Sequence, residues 1–236
     1  MKRLVCLAPL LLILIAPVYG QEQSPNAYVT ITGNSIAHFQ ANFATWEFPS
    51  LPVNDVYIWG ADSAPCRYFL QTNAGGVPLL LYYVPAQTTV AVLIDSTNDI
   101  QTGVPVTQHM ACIEQTISIL LTRNPAIKIV VANTPPMTQW DPCTSSDRDY
   151  SIVQAIEAYN SAYADPVTGL QALYPNNVRV ADVFTLNAYS DGWGIPSDLT
   201  GPCGIHPGQE FQWSSSWQHF ALPYELLVMQ AVNGRW

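Results

Sequence analysis

"VAVLIDSTND", residues 90–99, decides how this chain is read. Val90 to Ile94 is an unbroken apolar run of strand length, with no polar face. A strand of that kind suits a sheet covered on both sides, and here it breaks at once into the polar segment Asp95 to Asp99. Similar runs occur on either side. "YVTIT" (Tyr28 to Thr32) ends at Gly33, "IKIVVA" (Ile127 to Ala132) is stopped by Thr134-Pro135, and "VRVADVF" spans Val178 to Phe184. "RYFLQ" (Arg67 to Gln71), closed by "TNAGG", reads as the remaining strand of five.

Helical patterns lie between the runs. Met110, Ile113, Ile117, Leu120 and Leu121 share one face of a helix that ends before Asn124-Pro125. Ile152, Ile156, Tyr159 and Tyr163 do the same in the next connection. Strands alternating with helices imply a mostly parallel sheet, and right-handed crossovers make it a three-layer α/β/α sandwich. Ligands of open sheets of this type bind beyond the carboxyl ends of the strands, so the residues that follow each strand carry the function.

The ends of the chain and its charge narrow the setting. Lys2 and Arg3, the apolar stretch Leu4 to Ala16, and small residues up to Gly20 read as a secretory signal peptide cleaved before Gln21. The 236 residues less those 20 leave 216, one domain spanning residues 21–236. Without Lys2 and Arg3, six basic residues face 17 acidic ones, a net charge of −11. Such a surface repels phosphate backbones and argues against nucleic-acid binding. The apolar leader is shorter than the about 20 apolar residues a membrane span needs, so no integral span is expected after cleavage. Four cysteines then remain, Cys66, Cys112, Cys143 and Cys203, an even number that suits two disulfides in an exported protein. Three pairings are possible. No CxxC or paired-histidine spacing suggests a structural zinc.

The strand ends collect a particular chemistry. Asn34 and Ser35 follow the first strand; Asn73, Gly75 and Gly76 follow "RYFLQ"; Asp95, Asn98 and Asp99 follow the third; and His206, in "GPCGIHPG", lies beyond the fifth. A hydroxyl, an imidazole, an amide and flexible N–H groups are the parts of a nucleophilic acyl-transfer site: attack, proton transfer, and donors for an oxyanion. Each has a plainer reading. Ser35 could cap a helix, Asn98 could close an Asx turn, and the glycines could only serve a turn. Gly60 in "WGADS" competes with Gly75 and Gly76. His38, His109 and His219 carry no motif and read as ordinary surface or core residues.

On these marks the chain resembles the SGNH (GDSL-type) hydrolases: "GNS" after the first strand, a glycine after the second, "ND" after the third, and "GIHP" near the C-terminus. They run from Gly33 to Pro207, nearly the whole mature domain. The resemblance implies a flavodoxin-like fold and hydrolysis of acyl esters. It makes Ser35 the nucleophile, Gly75 or Gly76 with Asn98 the oxyanion donors, and His206 the base. Two positions depart from the pattern. Asn34 stands where the family has aspartate, and Cys203 stands where it has the acid that orients the histidine. Cys203 is expected to pair with Cys143, which also follows a strand end, leaving Cys66 with Cys112. His206 would then be oriented by a backbone carbonyl, by water, or by Asp198 or Asp191. The function expected is that of a secreted or periplasmic serine esterase with a Ser–His dyad, acting on small or carbohydrate-linked esters and needing no metal or organic cofactor. A non-catalytic binding module on the same fold is the alternative.

Overall fold

The computed structural model describes residues 27–38, 56–135, 150–184 and 213–236. Among the described residues there are five strands: β1 (Val29–Gly33), β2 (Val56–Gly60), β3 (Val90–Ile94), β4 (Lys128–Ala132) and β5 (Val178–Ala181). The helices are α1 (Cys66–Leu70), α2 (Leu80–Tyr83), α3 (Ser96–Gln101), α4 (Val106–Arg123), α5 (Tyr150–Ala164), α6 (Leu170–Leu173) and α7 (Trp213–Val232). A further helical turn covers 35–38.

The strands form one all-parallel sheet in the order β2-β1-β3-β4-β5. This is the expected three-layer, flavodoxin-like arrangement. Side chains alternate between the faces. Val29, Ile31, Val90, Val92, Ile94, Val130 and Ala132 pack against Tyr224, Val228 and Val232 of α7. Ala91, Leu93, Ile129 and Val131 point the other way, onto Phe69 of α1 and Ile113, Ile117 and Leu120 of α4. Each such side chain, once buried, contributes roughly 1.5–3 kcal/mol, which explains why β3 and β4 need apolar residues at nearly every position. The faces expected of the two long helices are also present: Ile113, Ile117 and Leu120 are buried on α4, and Ile152, Ile156, Tyr159 and Tyr163 on α5. Among the described residues, no helix is long and apolar enough to cross a membrane.

One strand differs from expectation. Arg67 to Gln71 does not extend into a strand; it lies in and just after helix α1. Pro65 occupies the N-cap, which needs no N–H donor there, and Cys66 and Phe69, three apart, turn one buried face inward. The second strand is instead β2, "VYIWG", at the sheet edge, where only one long side pairs.

The pairing register puts all five strand ends on one level. Gly33 lies opposite both Gly60 and Ile94, and Ala132 lies opposite Ala181. From β1 the chain crosses outward to β2, then returns to the other flank of β1 as β3. The strand order therefore reverses between β1 and β3, and in open sheets of this type the region beyond the carboxyl ends at such a point is where ligands bind.

Candidate active site

The turns that leave β1 and β3 lie at that point of reversal. Ser35 opens the helical turn at 35–38, and Asn34 supplies the cap: its Oδ1 accepts from the Ile36 N–H at 2.9 Å. Ser35 is thus inside the turn rather than its cap. The Asn34 side chain is fully buried, and its Nδ2 donates to Thr97 Oγ1 on α3. Its backbone N–H donates to Ile94 O at 2.9 Å. An amide meets both needs, one acceptor and one donor, without burying a charge. The departure from aspartate at this position therefore leaves both ends of the side chain bonded.

Two glycines let the backbone close up here. A Cβ on Gly33 would sit 1.8 Å from Ile94 O, and one on Gly60 would sit 2.1 Å from His38 N and 2.6 Å from Asn34 O. Gly60 therefore touches the turn that carries Ser35. The Ala61 N–H donates to Gly33 O at 2.9 Å, which ties the segment after β2 to the end of β1.

Gly75 and Gly76 stand elsewhere. They lie in an exposed turn between Thr72 and Pro78. The Gly75 N–H donates to Asn73 Oδ1 and the Gly76 N–H to Asn73 O, both at 2.9 Å. Their assignment rested on a strand at Arg67 to Gln71; with that segment helical, the glycine at the end of the second strand is Gly60.

Asn98 is buried in α3, and its Nδ2 donates to Ala64 O at 3.1 Å. The neighbouring Asp99 reaches the same loop from the next position, accepting from the Cys66 N–H at 3.3 Å. It also accepts from His109 Nδ1 at 2.5 Å. The far nitrogen of His109 meets the hydroxyl of Tyr163, which also bonds Ser96. A carboxylate can only accept, so Nδ1 carries the proton and Nε2 receives the Tyr163 O–H. Asp95 lies beside this group, its carboxyl pushed up to about 6 by burial, with His109 opposing the shift and Asp99 adding to it. Tyr163 is raised well above the usual phenol range, chiefly by burial and then by the charges of Asp95 and Asp99. None of these roles is marked in sequence: Asp99 and His109 are ten residues apart on successive helices, and only the packing of α3 on α4 makes them partners.

Cys66 and Cys112 form a disulfide that joins α1 to α4. Cys66, Asp99 and His109 lie close enough to suggest a metal site, but a sulfur held in a disulfide has no thiolate to give, so the trio does not fit one. His38 is partly exposed, with Nε2 3.8 Å from Asp62 Oδ2. His206, Cys143, Cys203, Asp191 and Asp198 lie outside the described residues.

No family model matches the chain. No curated protein matches it either. Solved structures do. A candidate acylhydrolase of Bacteroides fragilis superposes with a TM-score of 0.63 at 16% identity, covering 89% of this chain and 90% of its own. A GDSL-like lipase of Bacteroides thetaiotaomicron gives 0.61 at 15% identity, covering 92% of each chain. A carbohydrate esterase of family 3 from Talaromyces cellulolyticus gives 0.56 at 16% identity, covering 88% of this chain and 99% of its own. At such identities the likeness is one of architecture: the chain has the three-layer fold of the SGNH/GDSL-type hydrolases.

Proposed function

We propose that the protein is an exported serine esterase that hydrolyses carboxylic esters of small or carbohydrate-linked alcohols. One observation carries this reading: Ser35 follows β1 and Asn98 follows β3, on the two sides of the point where the strand order reverses. The esterases and acylhydrolases among the structural neighbours support the same reaction class.

Ser35 Oγ adds to the acyl carbonyl while His206 takes its proton. The tetrahedral oxyanion is received by the Ser35 N–H, by Asn98 Nδ2 and by the backbone at the end of β2 near Gly60. An amide nitrogen has two hydrogens, and Ala64 O takes one of those on Asn98. His206 returns the proton to the leaving alcohol, and water releases the acid from the acyl-serine by the same steps in reverse order. With Cys203 in place of the family's acid, His206 takes its orientation from a backbone carbonyl, from water, or from Asp191 or Asp198. The leader at residues 1–20 and the Cys66–Cys112 disulfide both suit a secreted or periplasmic location.

Turnover of p-nitrophenyl acetate tests the reading. It is expected to vanish in Ser35→Ala and His206→Ala and to persist in His38→Ala, and an organophosphonate is expected to label Ser35. Full activity in Ser35→Ala would overturn it. The second reading, a binding module without turnover, is favoured by Cys203 at the acid position; it predicts no hydrolysis in any variant and no label.

A further inference from the structure

The buried chain Asp99–His109–Tyr163 is not itself assigned a part in the reaction, yet it closes around one of the groups that is. Asp99 and Ser96 both belong to α3, with Asn98 between them. Asp99 is held by His109, His109 by Tyr163, and Tyr163 by Ser96. The chain thus leaves α3 on one side of Asn98, passes through α4 and α5, and returns to α3 on the other side. Its members are among the most buried polar residues described, with Asp99 2%, His109 1% and Tyr163 0% exposed. The same two neighbours, Asn98 and Asp99, also grip the segment after β2, through Ala64 O and the Cys66 N–H.

Burying an acid, an imidazole and a phenol together is costly. Apolar side chains of the same volume would fill the space with no polar atoms to satisfy and are often as stable or more so. What hydrogen bonds add over apolar packing is direction: each fixes an angle as well as a distance, whereas apolar contacts permit small slides and rotations. Direction is what an oxyanion donor needs, because its hydrogen must point to where charge develops before the charge is there.

We propose that Asp99, His109 and Tyr163 are positioning residues for Asn98. They hold the first turn of α3 and the Ala61–Cys66 segment in one arrangement, so that the Asn98 amide is aimed in the absence of substrate. The inference rests on the assignment of Asn98 as an oxyanion donor, and it goes beyond that assignment by naming what makes the donor effective.

The test combines His109→Gln, Asp99→Asn and Tyr163→Phe with Asn98→Ala, singly and in pairs, with p-nitrophenyl acetate as substrate. Asn98→Ala is expected to lower kcat by roughly 10²–10³-fold, the usual cost of one oxyanion donor. His109→Gln is expected to lower kcat by about 10-fold or more with KM little changed, since small misplacements at a reacting centre cost up to about 10²-fold. In the Asn98→Ala background the same substitution is expected to cost less than about 2-fold, because its effect passes through the amide already removed. Tyr163→Phe, which keeps the volume and deletes only the hydroxyl, gives a milder form of the same pattern and guards against misfolding of the others. A second measurement does not depend on turnover: amide hydrogen exchange in residues 61–66 and 95–101 is expected to quicken in Asp99→Asn and His109→Gln while the strands stay protected.

A full, additive loss for His109→Gln in the Asn98→Ala background would overturn the proposal and leave the esterase reading standing. Unchanged kcat in Asn98→Ala would remove the oxyanion assignment and this inference with it. Unchanged exchange at 61–66 and 95–101 in both variants would overturn the inference whether or not the protein turns over any ester.

Discussion

The side-chain amide of Asn34 donates to the hydroxyl of Thr97 while its oxygen caps the turn that begins with Ser35. One neutral, buried side chain thereby joins the segment after β1 to the segment after β3, the two flanks of the proposed site.

Asn34→Ala removes both bonds and leaves Thr97 Oγ1 and the Ile36 N–H to find others. A loss of about 1–3 kcal/mol in unfolding free energy is expected, from a missing cap and a buried hydroxyl without its partner. Asn34→Asp retains the cap acceptor and can take a hydrogen bond from the Thr97 hydroxyl, so it is expected to keep most of the activity that Asn34→Ala loses. Urea unfolding and ester turnover of the two variants check this.

Gly60→Ala must push backbone, since its Cβ would meet His38 N at 2.1 Å. A destabilisation of about 3 kcal/mol or more is expected, with loss of turnover as the Ser35 turn shifts. Gly75→Ala meets only the Asn73 side chain at 3.3 Å, in an exposed turn. It is expected to leave kcat/KM unchanged, because the Gly75 N–H is engaged locally; a large fall in kcat for Gly75→Ala would restore that glycine as an oxyanion donor.

Asp95 gives stability a pH dependence of known sign. Burial pushes its carboxyl up to about 6 in the folded protein, against 3.8 for an exposed aspartate. The folded state therefore holds the proton more tightly than the unfolded chain, and the stability that this contributes is full below about pH 4 and lost as pH rises through 6. Above that range a buried carboxylate remains, with Oδ1 lacking a hydrogen-bond partner among the described residues. Asp95→Asn is expected to be more stable than wild type at pH 8 by up to about 3 kcal/mol, with a smaller advantage at pH 5. Urea unfolding of both proteins at the two pH values decides it, and equal differences at both would contradict it.

The Cys66–Cys112 disulfide closes a loop of sequence separation 46. Chain-entropy reasoning assigns such a loop about 4 kcal/mol. Cys112 lines a cavity of about 230 Å³ together with Arg67, Gln108 and His109, so a small thiol can reach its sulfur. Reduction, or the double change to serine, is expected to lower the unfolding midpoint. Unreduced peptide mapping should join Cys66 to Cys112 and will also report the state of Cys143 and Cys203.

Four of the five strands can be read from sequence for a physical reason: β3 and β4 are covered on both faces, so apolar residues run on without a polar break. β2 is at the sheet edge, with Tyr57 and Trp59 partly exposed and stacked at 5.9 Å, and its pattern carries less signal. "RYFLQ" misleads because an aromatic, β-favouring composition is overridden by Pro65, by the disulfide at Cys66 and by burial of Phe69. That single misreading put Gly75 and Gly76, rather than Gly60, at the end of the second strand. The placing of Ser35 and Asn98 at neighbouring strand ends needs only the order of elements, and sequence supplies that order. The Asp99–His109–Tyr163 chain needs the three-dimensional approach of α3, α4 and α5, which no local pattern encodes.

The level ending of the five strands has a wider consequence. The spacing between the turns after β1, β2 and β3 is set by main-chain ladders, about 4.8 Å per step, and these are indifferent to which apolar residue fills each slot. A sheet built this way is a ruler made of peptide groups. Most of its lettering can be rewritten while its graduations stay put, so chains only 15% identical over 92% of their length can still hold corresponding turns at corresponding distances.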